Sequence, residues 1–169
     1  MGLHAAAQNG ATMSNHRPPA FDISFGDLPS DPKERHEILV DLFGRYLMWL
    51  RQWTVNATRE MSESEDAREK LGTIRRHKYE ALSELTPEQR ETVYSISEAT
   101  VDRFIQLFLT MLAGTGTDQR LGSDHAIRFK LDMEICDVED AEVLEVETIN
   151  RGGKKFFADY WGRWLKQIS

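Results

Sequence analysis

The sequence predicts an α+β fold that is mostly helical, with three long helices followed by an antiparallel β-hairpin and a C-terminal aromatic-rich helix. Three observations support this prediction. Apolar residues recur every three or four positions from residue 38 to residue 112, the repeat shortens to two near residue 127, and aromatic residues cluster after residue 155. Because a lone hairpin is only marginally stable in water, we expect it to pack against the helices.

Size and composition indicate one globular domain. The chain has 169 residues, 40% of them hydrophobic and 29% charged, and its formal net charge is −7. Residues 31–169 are predicted to form this domain, and residues 1–30 to form a flexible or loosely docked N-terminal tail. The tail is rich in small residues and prolines, and its candidate anchors are Phe21, Ile23, Phe25 and Leu28.

Composition also bears on partners and location. The net negative charge disfavours nucleic acid as a partner, because phosphates would be repelled. The single cysteine, Cys136, cannot form an internal disulfide or supply a Cys-rich zinc site. No apolar run approaches the roughly 20 residues of a membrane-spanning helix, and no signal-peptide pattern is found. We therefore predict a cytoplasmic protein with no cofactor and no membrane partner, and leave a homo-oligomer open.

The first two helices are delimited by polar caps. Ser30 or Asp31 precedes a proline that suits the first turn of a long amphipathic helix. A second, weaker helix is predicted after a cap at Ser62 or Ser64, and Gly72 within it lowers its helix propensity.

The third helix has the clearest boundaries. Thr86 and Pro87 supply a cap and a proline at the first helical position, and Gln89 completes a capping box. Gly114 is placed to end this helix in a left-handed cap. The C-terminal helix carries aromatic residues on one face, and we expect the tryptophans of the first and last helices to pack mostly in the core, against the hairpin: Trp49, Trp53, Trp161 and Trp164.

Alternation with a period of two predicts the hairpin. The first strand is predicted over residues 127–136, and the second has Leu144, Val146 and Thr148 on the inner face with Glu145 and Glu147 outside. Packing and charge together favour one register, in which Leu131 faces Leu144, Phe129 faces Val146, Lys130 faces Glu145 and Arg128 faces Glu147.

Acidic residues are concentrated around the predicted hairpin tip. Six of them are candidate partner-binding residues: Asp132, Glu134, Asp137, Glu139, Asp140 and Glu142. Three interpretations compete: a solvated turn that discourages edge-to-edge aggregation, a calcium site, or a surface that attracts a basic protein. The calcium-binding EF-hand pattern is absent, because the glycine of its sharp turn and its bidentate glutamate are missing.

A short basic segment follows the acidic run and is a second candidate site. It consists of Arg151, Gly152, Gly153, Lys154 and Lys155. There, at the junction of a strand and a helix, backbone N–H groups and side-chain cations are expected to converge on a phosphate or carboxylate. The alternative is a tight glycine turn whose cations balance the acidic hairpin.

No motif identifies an enzyme. The sequence has neither a nucleophile elbow nor a zinc-protease motif, and Glu98 and Asp102, one helical turn apart, are expected on the surface. The leading hypothesis is a small acidic protein-binding module, such as an immunity or antitoxin-type protein that neutralises a basic partner. The alternative is a binding protein or an enzyme that holds an anion or phosphorylated small molecule at residues 151–155.

Overall fold

The structure of the protein is a computed structural model that describes residues 25–114, 120–121 and 124–167. In these residues five helices and two small antiparallel sheets occur, which confirms the mostly helical α+β class. The helices are α1 (Pro32–Glu63), α2 (Glu65–Glu69), α3 (Thr73–Ser83), α4 (Pro87–Ala113) and α5 (Tyr160–Leu165). The strands are β1 (Arg120–Leu121), β2 (His125–Ala126), β3 (Asp132–Cys136) and β4 (Val143–Thr148).

Local capping chemistry sets the ends of the long helices. The Asp31 carboxylate accepts hydrogen bonds from the amides of Lys33 and Glu34, at 3.0 and 2.9 Å, and so begins α1. Thr86 and Gln89 form the predicted capping box at the start of α4. Gly114 ends α4 with φ of 70°, in the left-handed region that glycine adopts without strain. These predicted boundaries are confirmed.

The predicted second helix is divided in two. Ser64 caps the short helix α2, and its hydroxyl accepts a hydrogen bond from the amide of Ala67. The chain then leaves the helical conformation, and Gly72 stands at the N-cap of α3. Helix α2 ends at Glu69, and α3 begins directly after Gly72, whose low helix propensity suits a position between two helices.

The hairpin has a different register from the predicted one. Ile135 lies opposite Glu145 and Met133 opposite Glu147, and a bulge follows Ile135, so that Cys136 pairs with Val143. Strand β3 is also shorter than predicted, because residues 127–131 lie outside it. The inner face of β4 therefore carries the two glutamates, and the prediction that they point outward is wrong.

The core lies between α1, α4, α5 and the inner face of the hairpin. Trp164 is fully buried against the face of α1 that contains Gly44. Trp161 is buried as well, whereas Trp53 is 41% exposed, so the prediction that the tryptophans are mostly core holds for those of α5. Met133 and Ile135 of β3 pack against the same cluster.

The proposed N-terminal tail is described only from Phe25. The Arg35 guanidinium lies 5.3 Å from the centre of the Phe25 ring, and Leu28 packs against the core. Phe21 and Ile23, the other two candidate anchors, lie outside the described residues. None of the described helices is both long enough and apolar enough to span a membrane.

Candidate functional site

One face of the hairpin points away from the helices. Glu134 lies directly opposite Val146, and paired residues of an antiparallel ladder share a face of the sheet. Cys136 joins that face by alternation along β3, and Leu144, the residue left unpaired at the bulge, is exposed as well. We call these four residues the hairpin outer face. Leu144 and Val146 are 46% and 49% exposed, so apolar side chains that the sequence suggested were internal are open to solvent.

Two residues of α1 explain this orientation. Arg35 forms an ion pair with Glu145, and the His36 ring nitrogen Nδ1 lies 2.7 Å from Oε1 of Glu147. Because His36 is only 5% exposed, its contact with β4 is made inside the protein. These long-range contacts with α1 therefore hold Glu145 and Glu147 inward, and the apolar residues between and beside them, Leu144 and Val146, point outward.

Two of the six candidate acids maintain the turn at the hairpin tip. The Asp137 carboxylate accepts the amide hydrogen of Glu139 at 2.7 Å, and that of Asp140 accepts the amide hydrogen of Glu142 at 2.9 Å. Such side-chain to backbone bonds are the usual reason for aspartate in turns. Ala141 has a φ of 59°, which closes the turn in the left-handed region. Asp137 and Asp140 therefore stabilise the turn at the hairpin tip.

The other four acids differ in their surroundings. Asp132 is paired with Lys130 at 2.8 Å and accepts a hydrogen bond from the Thr148 hydroxyl at 2.6 Å. The Lys130 side-chain hydrogen bond is the main reason why the pKa of Asp132 is lowered. Lys130 was predicted to pair with Glu145, but it pairs with Asp132, two residues further along the chain. Glu134, Glu139 and Glu142 are exposed, with no ion pair among the described residues.

The second candidate site is a cleft between the end of β4 and the start of α5. Its volume is about 510 Å³, and all five predicted residues line it: Arg151, Gly152, Gly153, Lys154 and Lys155. The structure departs from the geometry that we expected there. The Lys154 amide donates to Glu37 at 3.1 Å, so it points into the protein.

Helix α5, which follows the cleft residues, adds little to the electrostatic attraction of an anion. Helix α5 has six residues and begins at Tyr160, after a 3-10 turn at Phe157–Asp159. Asp159, its N-cap residue, lines the cleft as well. Any anion in the cleft would therefore be held mainly by side-chain cations, since the Lys154 amide points into the protein and the short helix α5 begins with an acidic N-cap residue.

Glu37 and Tyr160 hold the basic turn, residues 151–155, in place. The Tyr160 hydroxyl donates to Oε1 of Glu37 at 2.5 Å. Burial raises the pKa of Glu37, but the hydrogen bonds from Tyr160 and the Lys154 amide, with the charges of Arg163 and Lys154, outweigh burial and lower it. Burial and the hydrogen bond to Glu37 raise the pKa of Tyr160 to about 12.

Asn150 anchors the other end of the turn. Its side-chain amide donates to the carbonyls of Leu112 and Phe129, at 2.7 and 3.0 Å, and its oxygen accepts from the Leu131 amide at 3.0 Å. One buried side chain therefore joins the end of α4 to residues 129–131, which directly precede β3. A buried asparagine with all three bonds made fixes the position where the basic turn begins.

Sequence reasoning missed the residues that position both sites. His36, Glu37 and Asn150 carry no recognisable motif, and their partners are far away in the chain. A signal does exist for His36, because it stands three and four residues before the buried Leu39 and Val40 on one helix face. A polar residue on an apolar stripe indicates a buried contact.

Glu98 and Asp102 also have a role that was not predicted. They accept hydrogen bonds from the buried Arg51 guanidinium, at 2.6 Å from Glu98 and at 2.5 and 2.9 Å from Asp102. Their side chains are 44% and 28% exposed, so both lie at the surface as expected and in addition pair with a buried cation. Within the described part of the chain, no group of three or more His, Cys, Asp or Glu residues is arranged to hold a metal ion.

The chain matches no protein-family model, and no curated protein or solved structure is significantly similar to it.

Proposed function

We propose that this protein is a protein-binding module whose hairpin outer face docks an extended, basic segment of another protein. The observation that carries the proposal is the outward orientation of Leu144 and Val146 beside Glu134. A half-exposed apolar surface edged by acids is complementary to an extended segment that carries apolar and basic side chains on the same face.

The strand edges support the same mode of binding. In the described residues, β3 and β4 form a two-stranded sheet, so each strand has one neighbour. An extended segment can add to such an edge through main-chain hydrogen bonds, while its alternate side chains contact the face of the sheet. Val138, at the tip, is 99% exposed and extends the apolar surface toward the turn.

Charge favours a basic partner. Glu134, Glu139 and Glu142 are exposed near the outer face, and the chain as a whole carries a formal charge of −7. Such a field accelerates the approach of a basic protein and repels acidic ones. A small acidic protein that neutralises a basic effector, as immunity proteins and antitoxins do, is the functional class that we propose.

Capture from native lysate tests the proposal, with variants chosen from the structure. Glu134→Lys/Glu139→Lys/Glu142→Lys reverses the exposed acids and leaves the turn-forming Asp137 and Asp140 intact. A second variant, Leu144→Ser/Val146→Ser, removes the apolar surface.

The matched control is Glu63→Lys/Glu69→Lys/Glu84→Lys, which changes net charge equally at exposed helical positions. We expect wild type and control to capture the same basic protein, and both hairpin variants to lose it. Equal capture by all four proteins would contradict the proposal.

A further inference from the structure

The cleft at the β4–α5 junction is separate from the hairpin outer face and has its own chemistry. We propose that it binds a small phosphorylated ligand that carries an aromatic ring, of the kind a mononucleotide represents. We call it the basic cleft, defined by Arg151, Lys154, Lys155, Phe156 and Asp159. Its volume of about 510 Å³ falls within the roughly 300–1,000 Å³ of ligand pockets.

Three cations are available to an anion in the basic cleft. Lys154 and Lys155 are exposed, and neither ammonium group forms an ion pair among the described residues. Arg151 donates one hydrogen bond, to the Phe129 carbonyl at 3.1 Å, out of the five N–H groups that a guanidinium has. Only one carboxylate, Asp159, lines the cleft, so cations outnumber acids there in a chain that is acidic overall.

The positions of these cations are fixed by the fold. Asn150 holds the start of the turn, and Glu37 accepts a hydrogen bond from the Lys154 amide near its end. Gly152 has φ of 80°, a conformation that other residues rarely adopt. A backbone held at both ends presents its side chains with less ordering cost on binding than a mobile loop would.

Phe156 gives the basic cleft an apolar wall. Its side chain is 66% exposed although it follows two lysines directly, and it lines the cleft. An exposed phenylalanine offers a flat face on which a planar ring can stack, as nucleic-acid bases do on aromatic side chains. Phosphate contacts from the cations and stacking on Phe156 together specify the proposed ligand class.

Calorimetry and thermal unfolding of the full chain test this inference, with AMP, adenosine and inorganic phosphate as probes. Lys154→Ala/Lys155→Ala removes two cations, and Phe156→Ser removes the apolar wall. Lys33→Ala/Lys166→Ala deletes two exposed lysines elsewhere and is the matched control.

We expect AMP to raise Tm of wild type and control by mass action, and to bind at least tenfold more weakly to the lysine variant. Phe156→Ser should reduce AMP affinity to that of inorganic phosphate. No Tm shift with AMP at millimolar concentration, or equal affinity in wild type and the lysine variant, would overturn the inference. Capture by the hairpin is unaffected by these variants, so the two proposals fail independently.

Discussion

His36 and Glu147 lie 2.7 Å apart, from Nδ1 to Oε1, although 111 residues separate them in the chain. This contact joins the first turns of α1 to β4. Since His36 is 5% exposed, the contact is made inside the protein. Together with the Arg35–Glu145 pair and the packing of Met133 and Ile135 on the core, it holds one face of the hairpin inward.

The first prediction concerns the two faces of β4. Glu147→Ala removes the partner of a buried ring nitrogen, so we expect it to lower the free energy of unfolding by about 1–3 kcal/mol. Val146→Ser, on the half-exposed outer face, should cost less than about 1 kcal/mol. Urea unfolding of both variants measures the difference. A larger loss for Val146→Ser would show that Val146, and not Glu147, faces the core.

A second prediction tests the packing of α5 on α1. A Cβ atom at Gly44 would stand 2.2 Å from Cε2 of Trp164, far inside van der Waals contact. Alanine normally stabilises a helix relative to glycine by about 0.8–1 kcal/mol. We nevertheless expect Gly44→Ala to destabilise the protein by about 1–3 kcal/mol or more, because the indole has to move.

Gly162 in α5 is the matched control, since a Cβ there would meet no atom within 4 Å. Gly162→Ala should be neutral or slightly stabilising in thermal unfolding. Stabilisation by Gly44→Ala of the same size as by Gly162→Ala would contradict the described packing of Trp164.

The third prediction is that Glu37 makes the free energy of unfolding fall at acidic pH. Its folded pKa lies below its ordinary value of 4.5, so the carboxylate contributes stability that is complete above that value and is lost as the pH falls through the folded pKa. Glu37→Gln removes the titration. Urea unfolding from about pH 6 to about pH 3 should show the advantage of wild type over the variant shrinking on acidification. A constant difference would be evidence against the Glu37 contacts.

The fourth prediction is that Tyr160 makes the free energy of unfolding fall at alkaline pH. Its pKa is raised from 10.0 to about 12, so the un-ionised phenol stabilises the fold below pH 10 and this contribution is lost as the pH rises toward 12. The loss amounts to roughly 3 kcal/mol, at 1.36 kcal/mol for each unit of pKa difference. Ultraviolet titration should show one of the four tyrosines ionising near pH 12 in wild type, and no such step in Tyr160→Phe. Persistence of the step in that variant would refute the assignment.

A fifth prediction compares a buried ion pair with an exposed one. Asp102→Asn weakens two contacts of the buried Arg51 guanidinium, and we expect a loss of about 1–3 kcal/mol in the free energy of unfolding. Glu91→Gln disrupts the solvent-exposed pair with Arg59 and should change stability little. Equal effects of the two substitutions would mean that Arg51 is not desolvated as described.

Local chemistry was predictable from the sequence, whereas the hairpin orientation was not. Asp31, Thr86 and Gly114 act on backbone groups within four residues of themselves, so short motifs identify their roles. The residues of β4 alternate between apolar and acidic, and alternation does not reveal which set is buried. That choice depends on Arg35 and His36, more than 100 residues earlier.

The candidate sites show the same division. The sequence identified the acidic run and the basic turn, because charge is visible in composition. It did not reveal that Asp137 and Asp140 close the turn, or that Glu37 draws the Lys154 amide inward. These roles are assigned by backbone conformation and by distant partners, neither of which a local pattern contains.

Thiol labelling of the hairpin tests the central claim most directly. Cys136, the one cysteine of the chain, is exposed and would be replaced by serine. Single cysteines would then be placed at positions 144, 145, 146 and 147, and their rates of reaction with a maleimide measured under native conditions. We predict fast labelling at 144 and 146 and labelling at least tenfold slower at 145 and 147. The reverse pattern would contradict the outward orientation of Leu144 and Val146 on which the proposed function rests.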